Sequence, residues 1–95
     1  MKKVLIFGSG SIGTHMSFAC RKLKFDVSVT DISSLALERM EKKVFPKRYG
    51  KWDRKINLIN YKKVFDIKEK YDLVIIGTPP KTHIHLYNQF NLFFQ

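Results

Sequence analysis

At 95 residues the chain has room for one small domain, and 44% hydrophobic content with only five glycines and three prolines marks it as globular rather than low-complexity. No apolar run approaches the roughly 20 residues of a membrane span, the apolar stretch after Met1 breaks at Gly8 well short of a signal sequence, and a single cysteine, Cys20, excludes an internal disulfide. These features predict a cytoplasmic protein without membrane contacts, and its 18 Lys and Arg against 8 Asp and Glu leave it strongly basic at +10.

Residues 3–7 (Lys-Val-Leu-Ile-Phe) form an apolar run that ends in glycines, the pattern of a central parallel strand covered on both faces. From Ser11 to Lys24 the period changes: Ile12, Met16, Ala19, Cys20 and Leu23 fall at steps of three and four, one face of a helix. Arg21, Lys22 and Lys24 sit at its end, where cations complement the helix dipole. Residues 26–31 alternate as a second strand. Ser33 or Ser34 caps a second helix through Lys43, with Leu37, Met40 and Val44 on one face. A basic connection over 45–55 leads to a third strand at 55–60 and a short helix at 64–70. Residues 72–77 are a second strong apolar strand, and a last helix opens near Pro80 and runs through His85. Strand and helix alternate throughout. The expected fold is α/β: a Rossmann-like doubly wound parallel sheet, three-layer α-β-α, incomplete at about four strands.

Gly8-Ser9-Gly10-Ser11-Ile12-Gly13 spells G-x-G-x-x-G between the first strand and the first helix, with Asp31 18 residues beyond the last glycine at the end of the second strand. Each glycine has a physical task. Gly8 permits the tight turn, Gly10 lets a pyrophosphate approach the backbone, and Gly13 lets the helix pack close to the strand. The helix N-terminus presents free N–H groups to the phosphates. The competing reading is a tight glycine turn that binds nothing. Asp31 is placed to accept hydrogen bonds from the adenosine ribose, where a 2′-phosphate would meet a like charge. Ile32-Ser33-Ser34 supplies no arginine to offset that repulsion, so the expected cofactor is NAD, with NADP disfavoured. Asp31 as a helix-capping or loop residue is the alternative.

The stretch Asp72-Leu73-Val74-Ile75-Ile76-Gly77-Thr78-Pro79-Pro80-Lys81-Thr82-His83, taken with the glycine fingerprint, resembles the glucose–fructose oxidoreductase / inositol dehydrogenase / MocA (Gfo/Idh/MocA) family of NAD(P)-dependent oxidoreductases. The resemblance covers nearly the whole chain, with residues 44–71 matching only in outline. It implies that Thr78, Pro79 and Pro80 line the cofactor cleft, with His83 in the first turn of the next helix, and that the enzyme acts on a sugar or sugar derivative. It also implies a further strand bearing Glu-Lys-Pro and a second α/β domain that carries the acid/base group and substrate pocket. Neither is in this sequence. The expectation is therefore that residues 1–95 are the N-terminal part of an NAD(P)-binding domain, the substrate domain absent, and that the chain is inactive alone. No catalytic residue and no metal ligand is assigned. A stand-alone NAD-binding or regulatory module is the alternative.

Arg39 to Lys63 holds ten basic residues against Glu41 and Asp53. Cations interleaved with Phe45, Tyr49 and Trp52 are compatible with single-stranded nucleic acid, but one basic loop without a recognised module makes that partner disfavoured. The second helix starts at the cofactor edge and runs away from it, so the connection that follows is expected far from the pyrophosphate. Phe90, Leu92, Phe93 and Phe94 give the end of the chain an apolar character that suits a homo-oligomer or packing on the sheet.

Overall fold

In the computed structural model, which describes residues 2–66 and 70–77, four strands form one parallel sheet in the order β3-β2-β1-β4. The elements in chain order are β1 (Lys3–Phe7), α1 (Ser11–Lys22), β2 (Asp26–Asp31), α2 (Ser34–Arg39), a π-helical turn (Met40–Val44), α3 (Phe45–Tyr49), β3 (Asn57–Asn60), α4 (Tyr61–Val64) and β4 (Leu73–Ile76). β1 pairs with β2 on one side (Val4 opposite Val27) and with β4 on the other (Val4 opposite Leu73). Its four apolar residues Val4, Leu5, Ile6 and Phe7 are buried on both faces, which is why they read as an uninterrupted apolar run.

Val4, Ile6, Val27 and Val29 face one side and pack with Cys20, Leu37, Met40, Phe45 and Ile56 beneath α1 and the α2–α3 helix. Leu5 and Phe7 face the other and pack with Val64 of α4. Helices thus lie on both faces of the sheet. The fold is α/β and Rossmann-like, as expected. The strand order reverses between β1 and β4, the switch point at whose carboxyl ends ligands of such sheets bind.

Three expectations shift. The buried side of α1 is Gly13, Thr14, Ser17 and Cys20, while Ile12 and Leu23 of the expected apolar face are 66% and 64% exposed. Small residues let the helix axis approach the sheet. Their hydroxyls are satisfied locally: Thr14 Oγ1 donates to the Ser9 carbonyl at 3.2 Å and Ser17 Oγ to the Gly13 carbonyl at 2.7 Å. The second helix, capped by Ser33 Oγ accepting from Ala36 N–H, does not stop at Lys43 but runs on to Tyr49. Pro46 would ordinarily break it, since its ring collides with the carbonyl four residues back. That carbonyl belongs to Lys42, inside the wider π turn where Phe45 N–H donates to Met40 O across five residues. A short helix forms earlier than the one expected at 64–70, over Tyr61–Val64, where Asn60 caps it by accepting from Lys62 N–H; residues 67–69 of the expected helix lie outside the described residues. The helix expected from Pro80 lies outside the described residues.

Candidate functional site

The β1–α1 turn brings the first six predicted site residues into one loop at the carboxyl edge of the sheet. Gly8, Ser9 and Gly13 are buried on its inner side, whereas Gly10, Ser11 and Ile12 are exposed. Gly8 has φ of 105°, a left-handed conformation that only glycine takes without strain, and its N–H is held by the Thr30 carbonyl at 2.8 Å. A Cβ on Gly13 would lie 1.8 Å from the Gly8 carbonyl oxygen, so this position is closed to any other residue. Gly10 differs from both. Its φ of −75° suits any residue, and a Cβ there would meet nothing within 4 Å among the described residues. No steric contact among the described residues requires a glycine at position 10.

Gly10 is also the N-cap of α1 and offers no side chain to the helix. The first N–H groups of α1 accordingly have no side-chain cap among the described residues, the arrangement that lets a helix N-terminus accept an anion. By contrast α2 and α4 are capped by Ser33 and Asn60.

Asp31 closes on the same loop. Its Oδ2 accepts from Ser9 N–H at 2.8 Å and from Ser9 Oγ at 2.9 Å, and its Oδ1 accepts from Ser33 N–H at 2.9 Å. A carboxylate has about four acceptor sites, so three intramolecular bonds leave room for one more partner, and rotation of the Ser9 hydroxyl would free another. Asp31 thus has the loop-and-cap role weighed from the sequence, and it keeps capacity for a ribose hydroxyl.

Two residues that the sequence pattern did not single out complete the surroundings. Gly77, at the end of β4, donates its N–H to the Phe7 carbonyl at 2.7 Å and brings the chain against Gly13. Arg48 of α3 reaches the first turn of α1, donating from Nη2 to Ser11 Oγ at 2.9 Å and from Nη1 to the Ser11 carbonyl at 3.3 Å. This corrects the expectation that the segment after the second helix lies far from the glycine loop. Because that helix extends to Tyr49, it crosses α1 instead of turning away: Tyr49 stacks on Phe18 with ring centroids 3.8 Å apart, and its hydroxyl lies 3.3 Å from His15 Nδ1. No spacing rule would have found Arg48, which is one cation in a basic run. Thr78, Pro79, Pro80 and His83 lie outside the described residues.

No family model and no curated protein matches the chain. Among solved structures it is similar to that of RSP, a Rex-family repressor, with a TM-score of 0.68 and 18% sequence identity. The likeness covers 97% of this chain but 41% of that one, so the chain spans less than half the length of its neighbour. The shared feature is the fold.

The rest of the described surface offers little chemistry. Cys20 is buried, and burial pushes its thiol above the ordinary range, away from the thiolate form that reacts. No His, Cys, Asp and Glu cluster suited to a metal occurs among the described residues, and no helix among them is long and apolar enough to cross a membrane. A concavity of about 840 Å³ lies away from the glycine loop, walled by Phe18, Tyr49, Trp52, Arg21, Arg54 and Lys55. Its volume alone does not make it a functional site. Its aromatics are the rim of the main core, with Phe45 and Trp52 in edge contact at 5.1 Å, and Arg21 is paired with Asp53 at 2.9 Å.

Proposed function

We propose that the chain is an NAD-binding module, with the pyrophosphate seated on Gly10–Ile12 at the N-terminus of α1 and the adenosine ribose at Asp31. The observation that carries this reading is Gly10. The phosphate-binding interpretation and an empty glycine turn both account for Gly8 and Gly13, which the backbone requires. A ligand that approaches the backbone accounts for a glycine whose added side chain would meet open space among the described residues. The uncapped first turn of α1 supports the same placement. NAD is preferred over NADP because Asp31 would face a 2′-phosphate and no arginine follows it at 32–34.

The resemblance of Thr78-Pro79-Pro80 and the glycine fingerprint to the Gfo/Idh/MocA family supports the cofactor-holding portion of an oxidoreductase acting on a sugar or sugar derivative, with residues 1–95 as part of the dinucleotide domain. A nicotinamide cofactor would supply hydride chemistry there. The described residues bind and orient, and none is placed to exchange a proton with a substrate. A regulatory module without catalysis is the second reading, favoured by the fold shared with a repressor.

Titration with NADH, followed by nicotinamide fluorescence, tests the common premise. Saturable binding is expected for the chain, together with at least tenfold weaker binding for Gly10→Ala, whose methyl group occupies the space of the pyrophosphate. Absence of binding at millimolar NADH would overturn the proposal.

A further inference from the structure

We infer that Arg48 is a phosphate ligand of the proposed dinucleotide site, so that the loop carries opposite charges at its two ends: Asp31 on Ser9 for the ribose, and Arg48 on Ser11 for the pyrophosphate. The inference rests on the dinucleotide reading given above. Arg48 is exposed and belongs to α3, an element remote in sequence from the glycine loop, yet its guanidinium is fixed on Ser11 by two hydrogen bonds. Ser11 is the first residue of α1, the place where an anion on the helix N-terminus accepts backbone N–H bonds. A guanidinium has five N–H donors. Two are engaged with Ser11, and the remaining three have no acceptor among the described residues, nor does any carboxylate there pair with Arg48. An arginine held in position with most of its donors free is preorganised for an oxyanion, and its fork suits the paired oxygens of a phosphate.

The local backbone shows how this position is reached. A π turn holds one more residue than an α turn, and each residue of a helix rotates the next by about 100°. The Met40–Val44 turn therefore sets the phase of everything after it. Phe45 points into the core at 2% exposure, Tyr49 stacks on Phe18, and Arg48 points along α1 to its first turn. Pro46 is accommodated by the same turn. The two serines of the fingerprint are thereby distinguished: Ser9 is buried and bonded to an acid, Ser11 is exposed and bonded to a base. A dinucleotide has matching polarity, with neutral hydroxyl donors on its ribose and two negative charges on its pyrophosphate.

The test compares NADH affinity in the full chain, Arg48→Gln and Arg48→Lys. Both variants lose the two-pronged attachment to Ser11, and only the lysine keeps the charge. The expected result is roughly tenfold or greater weakening for Arg48→Gln, as for loss of a hydrogen bond to a charged group, with most of the affinity recovered in Arg48→Lys. Equal weakening in both variants would mean that Arg48 serves only to tether α3 to α1, and would overturn the inference. Unchanged affinity in Arg48→Gln would overturn it as well, leaving the dinucleotide reading intact. Failure of the unaltered chain to bind NADH would remove that reading, and the inference with it.

Discussion

The three fingerprint glycines are one residue type used for three different reasons, and substitution separates them. Alanine at Gly13 would put a methyl carbon 1.8 Å from the Gly8 carbonyl oxygen, a backbone atom that cannot swing aside. α1 would have to lift from β1, opening the main core along Cys20 and Met16. A loss of about 3 kcal/mol or more is expected, the upper range for overpacked sites. That is a large share of the stability of a domain this size. Gly10→Ala should melt within about 0.5 kcal/mol of the unaltered chain, since the backbone there is ordinary and the space open. Urea unfolding of the two variants checks the contrast. Equal destabilisation would mean that Gly10 has a structural duty, and the case for a ligand at that position would fail. Asp31 shows the converse. The sequence marks it as a ribose acceptor, but only the three-dimensional fold shows that Ser9 and Ser33 already occupy most of its oxygens.

Between elements, Arg21 is one of the side chains that tie the basic connection to α1. Its Nε donates to Asp53 Oδ2 at 2.9 Å and its Nη1 to the Phe25 carbonyl at 2.9 Å. Burial opposes ionisation of Asp53, but the hydrogen bonds from Arg21 and from Lys55 N–H outweigh it and hold the carboxyl below its ordinary value of 3.8. A carboxyl with a lowered folded-state pKa stabilises the fold above its unfolded value and loses that contribution as pH falls through the folded one. Stability should therefore fall below about pH 4, in part through Asp53. Asp53→Asn should flatten that acid limb while costing about 1 kcal/mol at neutral pH, the scale of a partly exposed pair. Thermal melts from pH 7 to pH 2.5 measure both, and an acid limb unchanged in Asp53→Asn would show that the pair contributes nothing. The elements themselves were unevenly legible. Strands β1 and β2 announce themselves because a buried parallel strand is rich in apolar or β-branched residues, and β4 shows the same apolar run although it is only partly covered. The packed face of α1 was misread because Gly13, Thr14 and Ser17 carry no hydrophobic signal and are buried for being small. The extension through Pro46 was hidden because a π turn has no sequence period of its own. With that extension went Arg48, whose approach to Ser11 depends on where the helix ends.

For the molecule as a whole, the proposed site predicts a fold whose stability is coupled to ligand. Four strands and a few short helices bury two clusters of unequal size, with nine buried residues on the α1 side and three on the other among the described residues. A domain of this length has a thin margin. The loop adds to that cost: an uncapped helix N-terminus lies beside a guanidinium that no acid among the described residues neutralises. A dinucleotide that binds only the folded form answers these local deficits together. At a free concentration 100 times its Kd such a ligand stabilises by about 2.7 kcal/mol. In domains of 60–100 residues each kcal/mol moves the melting midpoint by roughly 4–8 °C. NADH at that excess should raise the midpoint by roughly 10–20 °C, and the rise should shrink for Gly10→Ala at the same concentration. If NADH bound the chain without moving its midpoint, the ligand would be binding the unfolded form equally well, and the site could not be the folded glycine loop.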